Sequence, residues 1–292
     1  RPGLKTVVTI HDLGYEYLPE YHQFPQKLYL NKSTEYSVKH ADYLIAVSET
    51  TKKDLINKMA CPKEKIAVIY EGFDKQKFSI NKSPKSPRSL NVTQPYILFV
   101  GTLQPRKNIE RLIEAFSLIL RNYDTTILGA KKKKSRNIPI SQYPNIELVI
   151  AGNKGWLYDG ILSAPKRFGV EDRVKFLGYT KEDDLPALYQ NALCFCLPSL
   201  FEGFGLPVLE AMACGCPVVV SRTSSLPEVA GEAGIYVDPL DVKNIANKLE
   251  LVIKNEKLRN ELRQKSLIQA QKFSWEKCAR ETIKVLEETK SS

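Results

Sequence analysis

The sequence is short of the residues that announce metal, thiol or membrane chemistry. It has three histidines in 292 residues, and its six cysteines are Cys61, Cys194, Cys196, Cys214, Cys216 and Cys278. The Cys-x-Cys pairs in LCFCLPS and ACGCP lack the two-residue spacing of a zinc knuckle and have no histidine beside them, so no metal site is expected. Free buried thiols in a reducing cytoplasm account for them better. No Asp-x-Asp pair is available to hold Mg²⁺ against a diphosphate. No Gly-x-Gly-x-x-Gly follows a strand, which argues against a nicotinamide-dependent dehydrogenase. A run of about 18 apolar residues, the length of a membrane span, is missing, and no signal-peptide pattern opens the chain. The opening, RPGLKTVVTIHDLGY, has no methionine and enters almost at once on a strand of buried type. It reads as a fragment whose earlier strands are absent.

Apolar residues make up 43% of the chain, enough to fill two cores. Lys and Arg number 43 against 33 Asp and Glu, a net charge of +10. That balance favours phosphates, nucleic acid or an anionic membrane surface. Nucleic acid is the weakest of the three, because the basic residues are scattered and not interleaved with aromatics for base stacking.

Short apolar runs alternate with helical patterns. KTVVTIHD, DYLIAVS and KIAVIYEG read as strands, separated by the helical PQKLYLNKSTEYSVKHA and SETTKKDLINKMA, where Ser48 with Thr51 suits a helix start. DKQKFSINKSPKSPRSLNVTQP is linker-like. A second set of strands follows: YILFVGTL, IELVIAGN, RVKFLGYT, ALCFCLPS, PVVVSRTS and AGIYVDP. Helical stretches such as IERLIEAFSLIL, DLPALYQNA and IANKLELVIKNEKLRNELRQKSLIQAQKF separate them. Nearly continuous apolar strands alternating with helices predict parallel sheets covered on both faces. The expected fold is α/β with two Rossmann-like units: a partial N-terminal unit over 1–82, a linker over 83–95, a second unit over 96–274, and a C-terminal helix over 275–292 packing back toward the first. NYDTTILGAKKKKSRNIPISQYPN looks like an insertion, and its Lys131–Lys134 run is either a solvated loop or a contact for acidic lipid headgroups.

Ligands of such sheets bind beyond the carboxyl ends of the strands. In LFEGFGLPVLEAMACGC, Gly203 and Gly205 let backbone amides come close to a ligand. Pro207 suits the first helical position, so the helix aims its N-terminus at whatever the glycines admit, and an anion is favoured there. Glu210 is expected in the first turn, where it could bind a sugar hydroxyl. In VGTLQPRKNIERL a strand ends at Gly101, Asn108 is expected to cap a helix, and Arg106 and Lys107 stand at the junction. Arg binds a diphosphate through two points and Lys as a point charge; the alternative is a solvated surface pair. His11, at the end of a strand in TIHDLGY, is either a structural hydrogen bonder or a cleft residue facing the second unit.

GTLQPRKN, PSLFEGFGLPVLEAMACGCPVVVS, SSLPEVAGEAG and FSWEKCA together resemble the GT-B retaining glycosyltransferases of the glycosyl transferases group 1 class. TIHDLGYEYLPEYH, AVSE and VIYEGFD are similar to its GDP-mannose-dependent mannosyltransferases. The resemblance covers nearly the whole chain. It implies two facing Rossmann-like domains and a metal-independent, retaining transfer of a hexose, mannose from GDP-mannose, to a glycan or lipid-linked acceptor at the cytoplasmic face of the membrane, with no cofactor. Carried to this sequence, Glu202 would touch the donor sugar and Glu210 the ribose, while Arg106 and Lys107 would neutralise the departing diphosphate. The amides of Gly203, Phe204, Gly205 and Leu206 would hold sugar and phosphate, His11 would reach the sugar from the other domain, and Gly178 and Tyr179 would lie near the base. Gly101 and Thr102 complete the expected donor site. Preorganised cations and amides are what a departing diphosphate needs. Family members begin with further strands and a glycine-rich loop that help bind acceptor. A binding-only fragment, holding nucleotide-sugar without turnover, is therefore the alternative.

Overall fold

The computed structural model describes residues 4–21, 25–80, 92, 95–127 and 145–291. The Lys131–Lys134 run and most of the expected linker lie outside them.

Three strands, β1 (Val7–Ile10), β2 (Tyr43–Ala46) and β3 (Ile66–Val68), form a first parallel sheet in the order β1-β2-β3. Helices α1 (Gly14–Tyr17), α2 (Gln26–His40) and α3 (Glu49–Met59) connect them. Helix α3 starts as SETT predicts: the Ser48 hydroxyl accepts the Thr51 N–H and satisfies one of the unpaired donors of the first turn. Leu13, Tyr15, Leu44, Leu55, Cys61 and Ile66 form this unit's own core.

The second unit has six strands: β4 (Tyr96–Val100), β5 (Glu147–Ala151), β6 (Val174–Gly178), β7 (Cys194–Leu197), β8 (Val218–Ser221) and β9 (Gly234–Val237). All are parallel, in the order β6-β5-β4-β7-β8-β9. YILFV, ELVIA, CFCL and VVVS are buried at every position, as strands covered on both faces must be. The covering helices are α4 (Ile109–Ile127), α5 (Asp159–Phe168), α6 (Leu185–Asn191), α7 (Leu206–Ala213), α8 (Leu226–Ala230), α9 (Val242–Lys254) and α10 (Glu256–Ala270). The long helical stretch after β9 breaks at Asn255, whose side chain accepts the Leu258 N–H and restarts the chain as α10. Strand order reverses between β4 and β7, so the crevice of this sheet opens above their carboxyl ends.

The last helix, α11 (Trp275–Ser291), crosses to the first sheet, where Val285 and Cys278 pack with Ile45 and Ile69. The crossing is close: a Cβ on Gly72 would stand 2.1 Å from the Trp275 backbone nitrogen. All six cysteines are free, and burial pushes the Cys194 thiol well above its ordinary range. Among the described residues no helix is long and apolar enough to cross a membrane.

Because backbone blocks that Cβ, Gly72→Ala must lift α11 from the first sheet. We expect a loss of about 1–3 kcal/mol in urea unfolding, as for overpacking elsewhere. An unchanged midpoint would contradict the contact.

Candidate functional site

Glu202 lies in the loop between β7 and α7, at the mouth of the crevice, and is only 5% exposed. One carboxylate oxygen accepts from Lys107 Nζ at 2.6 Å and from the Ser199 hydroxyl at 2.6 Å. The other accepts from the Arg106 guanidinium at 3.1 Å. Burial alone would raise this carboxyl, but the charges of Lys107 and Arg106 and the hydrogen bonds from Lys107 and Ser199 outweigh it and hold Glu202 below its ordinary value. Burial pulls Lys107 down from its ordinary value.

The loops that deliver these groups are tied together. Arg106 and Lys107 sit in the short turn Pro105–Lys107 after β4. The Arg106 carbonyl accepts the Leu200 N–H at 2.8 Å, and its guanidinium also donates to the Phe201 carbonyl at 3.0 Å. Asn108 has a left-handed φ of 61° and does not cap α4 with its side chain. Its amide instead donates to the Pro198 and Pro239 carbonyls, and its oxygen accepts from Arg111, so it clamps the loops after β4, β7 and β9. Ser224 and Ser225 hold the glutamate's own backbone. The Glu202 N–H donates to Ser224 Oγ at 2.9 Å, and the Ser225 hydroxyl donates to the carbonyls of Glu202 and Phe204. These serines and Ser199 escape a reading of the sequence, because nothing in LPSLF or SSLPE says which distant groups their hydroxyls will meet.

The glycine turn serves a purpose the sequence does not reveal. A Cβ on Gly203 would meet the His11 carbonyl oxygen at 2.2 Å, so Gly203 lets the end of β1 close onto this loop. Phe204 is buried against Tyr70 and Phe273. Gly205 has φ 112° and precedes α7, which begins at Leu206; Pro207 is therefore the second helical residue. Glu210 is the fifth, one turn in from the mouth and not in the first turn. It accepts a hydrogen bond from the Tyr189 hydroxyl at 3.0 Å. Burial lifts its carboxyl to about 7, with Glu182 adding to the rise and Tyr189 and Lys77 opposing it.

The structure thus joins Glu202, Arg106 and Lys107 directly and sets Gly203 against His11, while Glu210 belongs to a separate contact with Tyr189. The His11 ring is exposed and lies 3.1 Å from Glu71, whose hydrogen bond raises its pKa. Gly101, with φ 152°, follows β4, and Thr102 comes next. Gly178 closes β6 with φ 67°, and its carbonyl accepts the Gly152 N–H at 2.8 Å. Tyr179 is 70% exposed at that end of the sheet.

The raised Glu210 carboxyl gives the fold a pH dependence. Below its ordinary 4.5 both folded and unfolded chains carry the proton, and its contribution is fully present. Above that the unfolded chain releases the proton first, so stability is lost as pH rises through about 7. Comparing wild type with Glu210→Gln should show wild type losing roughly 3 kcal/mol more between pH 4.5 and pH 8. Parallel stability profiles would contradict the assigned burial.

Comparison with known proteins identifies the family and the fold. The glycosyl transferases group 1 profile matches residues 82–268, and the glycosyltransferase family 4 profile matches residues 1–77. The O-antigen chain mannosyltransferase B of Escherichia coli is 34% identical over 96% of this chain and 69% of its own length. The serotype-specific mannosyltransferase WbdA of Escherichia coli is 31% identical over 93% of this chain, which spans only 32% of that relative. Among solved structures, Anabaena HepE in complex with UDP and glucose superposes with a TM-score of 0.78 at 22% identity, over 97% of this chain and 72% of the other. Sucrose-phosphate synthase from Thermosynechococcus elongatus does so with a TM-score of 0.75 at 23% identity, over 97% and 67%. Two parallel-sheet units, the crevice between β4 and β7 and the match across residues 82–268 lead to one conclusion: this chain has the GT-B fold and belongs to the glycosyl transferases group 1 family.

Proposed function

We propose that this chain is a retaining, metal-independent hexosyltransferase that moves mannose from GDP-mannose to a glycan or lipid-linked acceptor. The observation that carries the proposal is the buried cluster of Glu202, Lys107 and Arg106 at the strand-order reversal. One carboxylate against two cations leaves a net positive charge where α7 also presents its N-terminus, so the mouth favours an anion. Mannose as the sugar is supported by the names of the relatives.

In this reading the arriving diphosphate competes with Glu202 for Lys107 and Arg106. The displaced carboxylate turns to a hydroxyl of the sugar, and the cations stabilise the charge that develops as the glycosidic bond breaks. Glu210, one turn along α7, takes a ribose hydroxyl. His11 reaches the sugar across the Gly203 contact, Gly101 and Thr102 line the phosphate path, and Gly178 with Tyr179 flank the base. The protein works in the cytoplasm, and Lys131–Lys134 draws it to anionic membrane, where salt would weaken binding. The alternative, binding without turnover, follows if the acceptor groups lie outside this chain.

Titration with GDP and with GDP-mannose tests the assignment. Arg106→Ala should weaken GDP by about 1.5–3 kcal/mol, the range for a hydrogen bond to a charged group. Glu202→Gln should spare GDP, since it frees both cations, and weaken GDP-mannose by a similar amount. Equal loss of GDP in Glu202→Gln and Glu210→Gln would contradict this division of roles. Binding of both ligands with no transfer to any acceptor would favour the alternative.

A further inference from the structure

Glu228 belongs to α8 of the second unit, yet its carboxylate is bonded to the first unit. One oxygen accepts the Glu49 N–H at 2.7 Å, and the other accepts the Thr50 N–H at 2.8 Å and the Thr50 hydroxyl at 2.7 Å. The Tyr70 hydroxyl adds a fourth contact at 3.3 Å. The amides of Glu49 and Thr50 belong to the first turn of α3, where N–H groups have no partner within the helix and the dipole favours a negative charge. Ser48 already serves the Thr51 N–H. Glu228 therefore completes, from another unit, a cap that α3 leaves open.

The cap leads to the site. Thr51, the next residue of α3, donates its hydroxyl to the His11 carbonyl at 3.3 Å. That same carbonyl is the group against which Gly203 is packed. A continuous path thus runs from Glu228 through the first turn of α3 and Thr51 to the backbone of His11, and ends on the residue after Glu202. Ser225, three residues before Glu228, starts the turn that holds the Glu202 and Phe204 carbonyls. One short segment, Ser225 to Glu228, fixes both the loop that carries Glu202 and the helix that holds His11.

We propose that Glu228 is a positioning residue. By capping α3 across the interface it sets His11 against the Gly203 loop, and so tunes recognition of the sugar half of the donor and not of its nucleotide half. This rests on the donor reading given above. Glu228 itself touches neither half.

The test measures Kd for GDP and for GDP-mannose in wild type, Glu228→Ala, Glu228→Gln, His11→Ala and the Glu228→Ala/His11→Ala pair. Glu228→Ala should weaken GDP-mannose about fivefold, the scale of one lost hydrogen bond, while GDP stays within about twofold. Glu228→Gln, which keeps one acceptor oxygen, should recover part of the loss. In the His11→Ala background Glu228→Ala should add little, because the two act through one path. Thr51→Val, which removes only the hydroxyl on the His11 carbonyl, should repeat the selective loss should Glu228→Ala prove poorly folded. Equal loss of GDP and GDP-mannose, full additivity with His11→Ala, or wild-type affinity in both Glu228→Ala and Thr51→Val would overturn the proposal. Wild-type protein that binds neither ligand would overturn the donor reading first.

Discussion

The mouth of the second sheet is organised around one buried negative charge. The Glu202 carboxylate is out of water, and its oxygens are taken by Lys107, Arg106 and Ser199. Taking such charges out of water costs several kcal/mol per ion, and apolar residues of the same volume would often be as stable or more so. Stability is therefore a poor reason for this cluster. Removing one partner is another matter: a carboxylate left buried beside a hole costs about 3–5 kcal/mol. The arrangement is thus strongly held once made, although making it adds little to stability.

Around that charge, close backbone approach and side-chain packing together join the two units. Gly203 admits the His11 carbonyl, Gly72 admits the start of α11, and Glu228 caps α3 from the far side. Aromatic packing fills in behind, with Tyr70 of the first unit against both Phe204 and Phe273 of the second, which also touch each other. Contacts of this kind tolerate little displacement, since a Cβ at either glycine would meet backbone atoms well inside van der Waals distance. The interface consequently fixes where the first unit stands relative to Glu202.

The strands were legible because each is a short apolar run with a polar or glycine end, and parallel burial leaves no other period to confuse them. The crevice was legible too, through glycines and cations placed just after strands. Contacts between distant segments were not. Nothing in GTLQPRKN says that Lys107 will meet Glu202, nor that Asn108 will turn left-handed and clamp the Pro198 and Pro239 carbonyls. The start of α7 was misplaced by one residue, and Glu210 stands one turn in, bonded to Tyr189 and outside the first turn. Gly203 shows the same limit in another form. Its smallness reads as access for a ligand, whereas the first thing it accommodates is the chain's own backbone.

A crystal structure of this chain with GDP-mannose addresses the central claim most directly. The account predicts the diphosphate within hydrogen-bond reach of Arg106 and Lys107 Nζ, and Glu202 turned from Lys107 onto a hydroxyl of the sugar. A donor bound elsewhere, with the 2.6 Å contact between Glu202 and Lys107 intact, would contradict it.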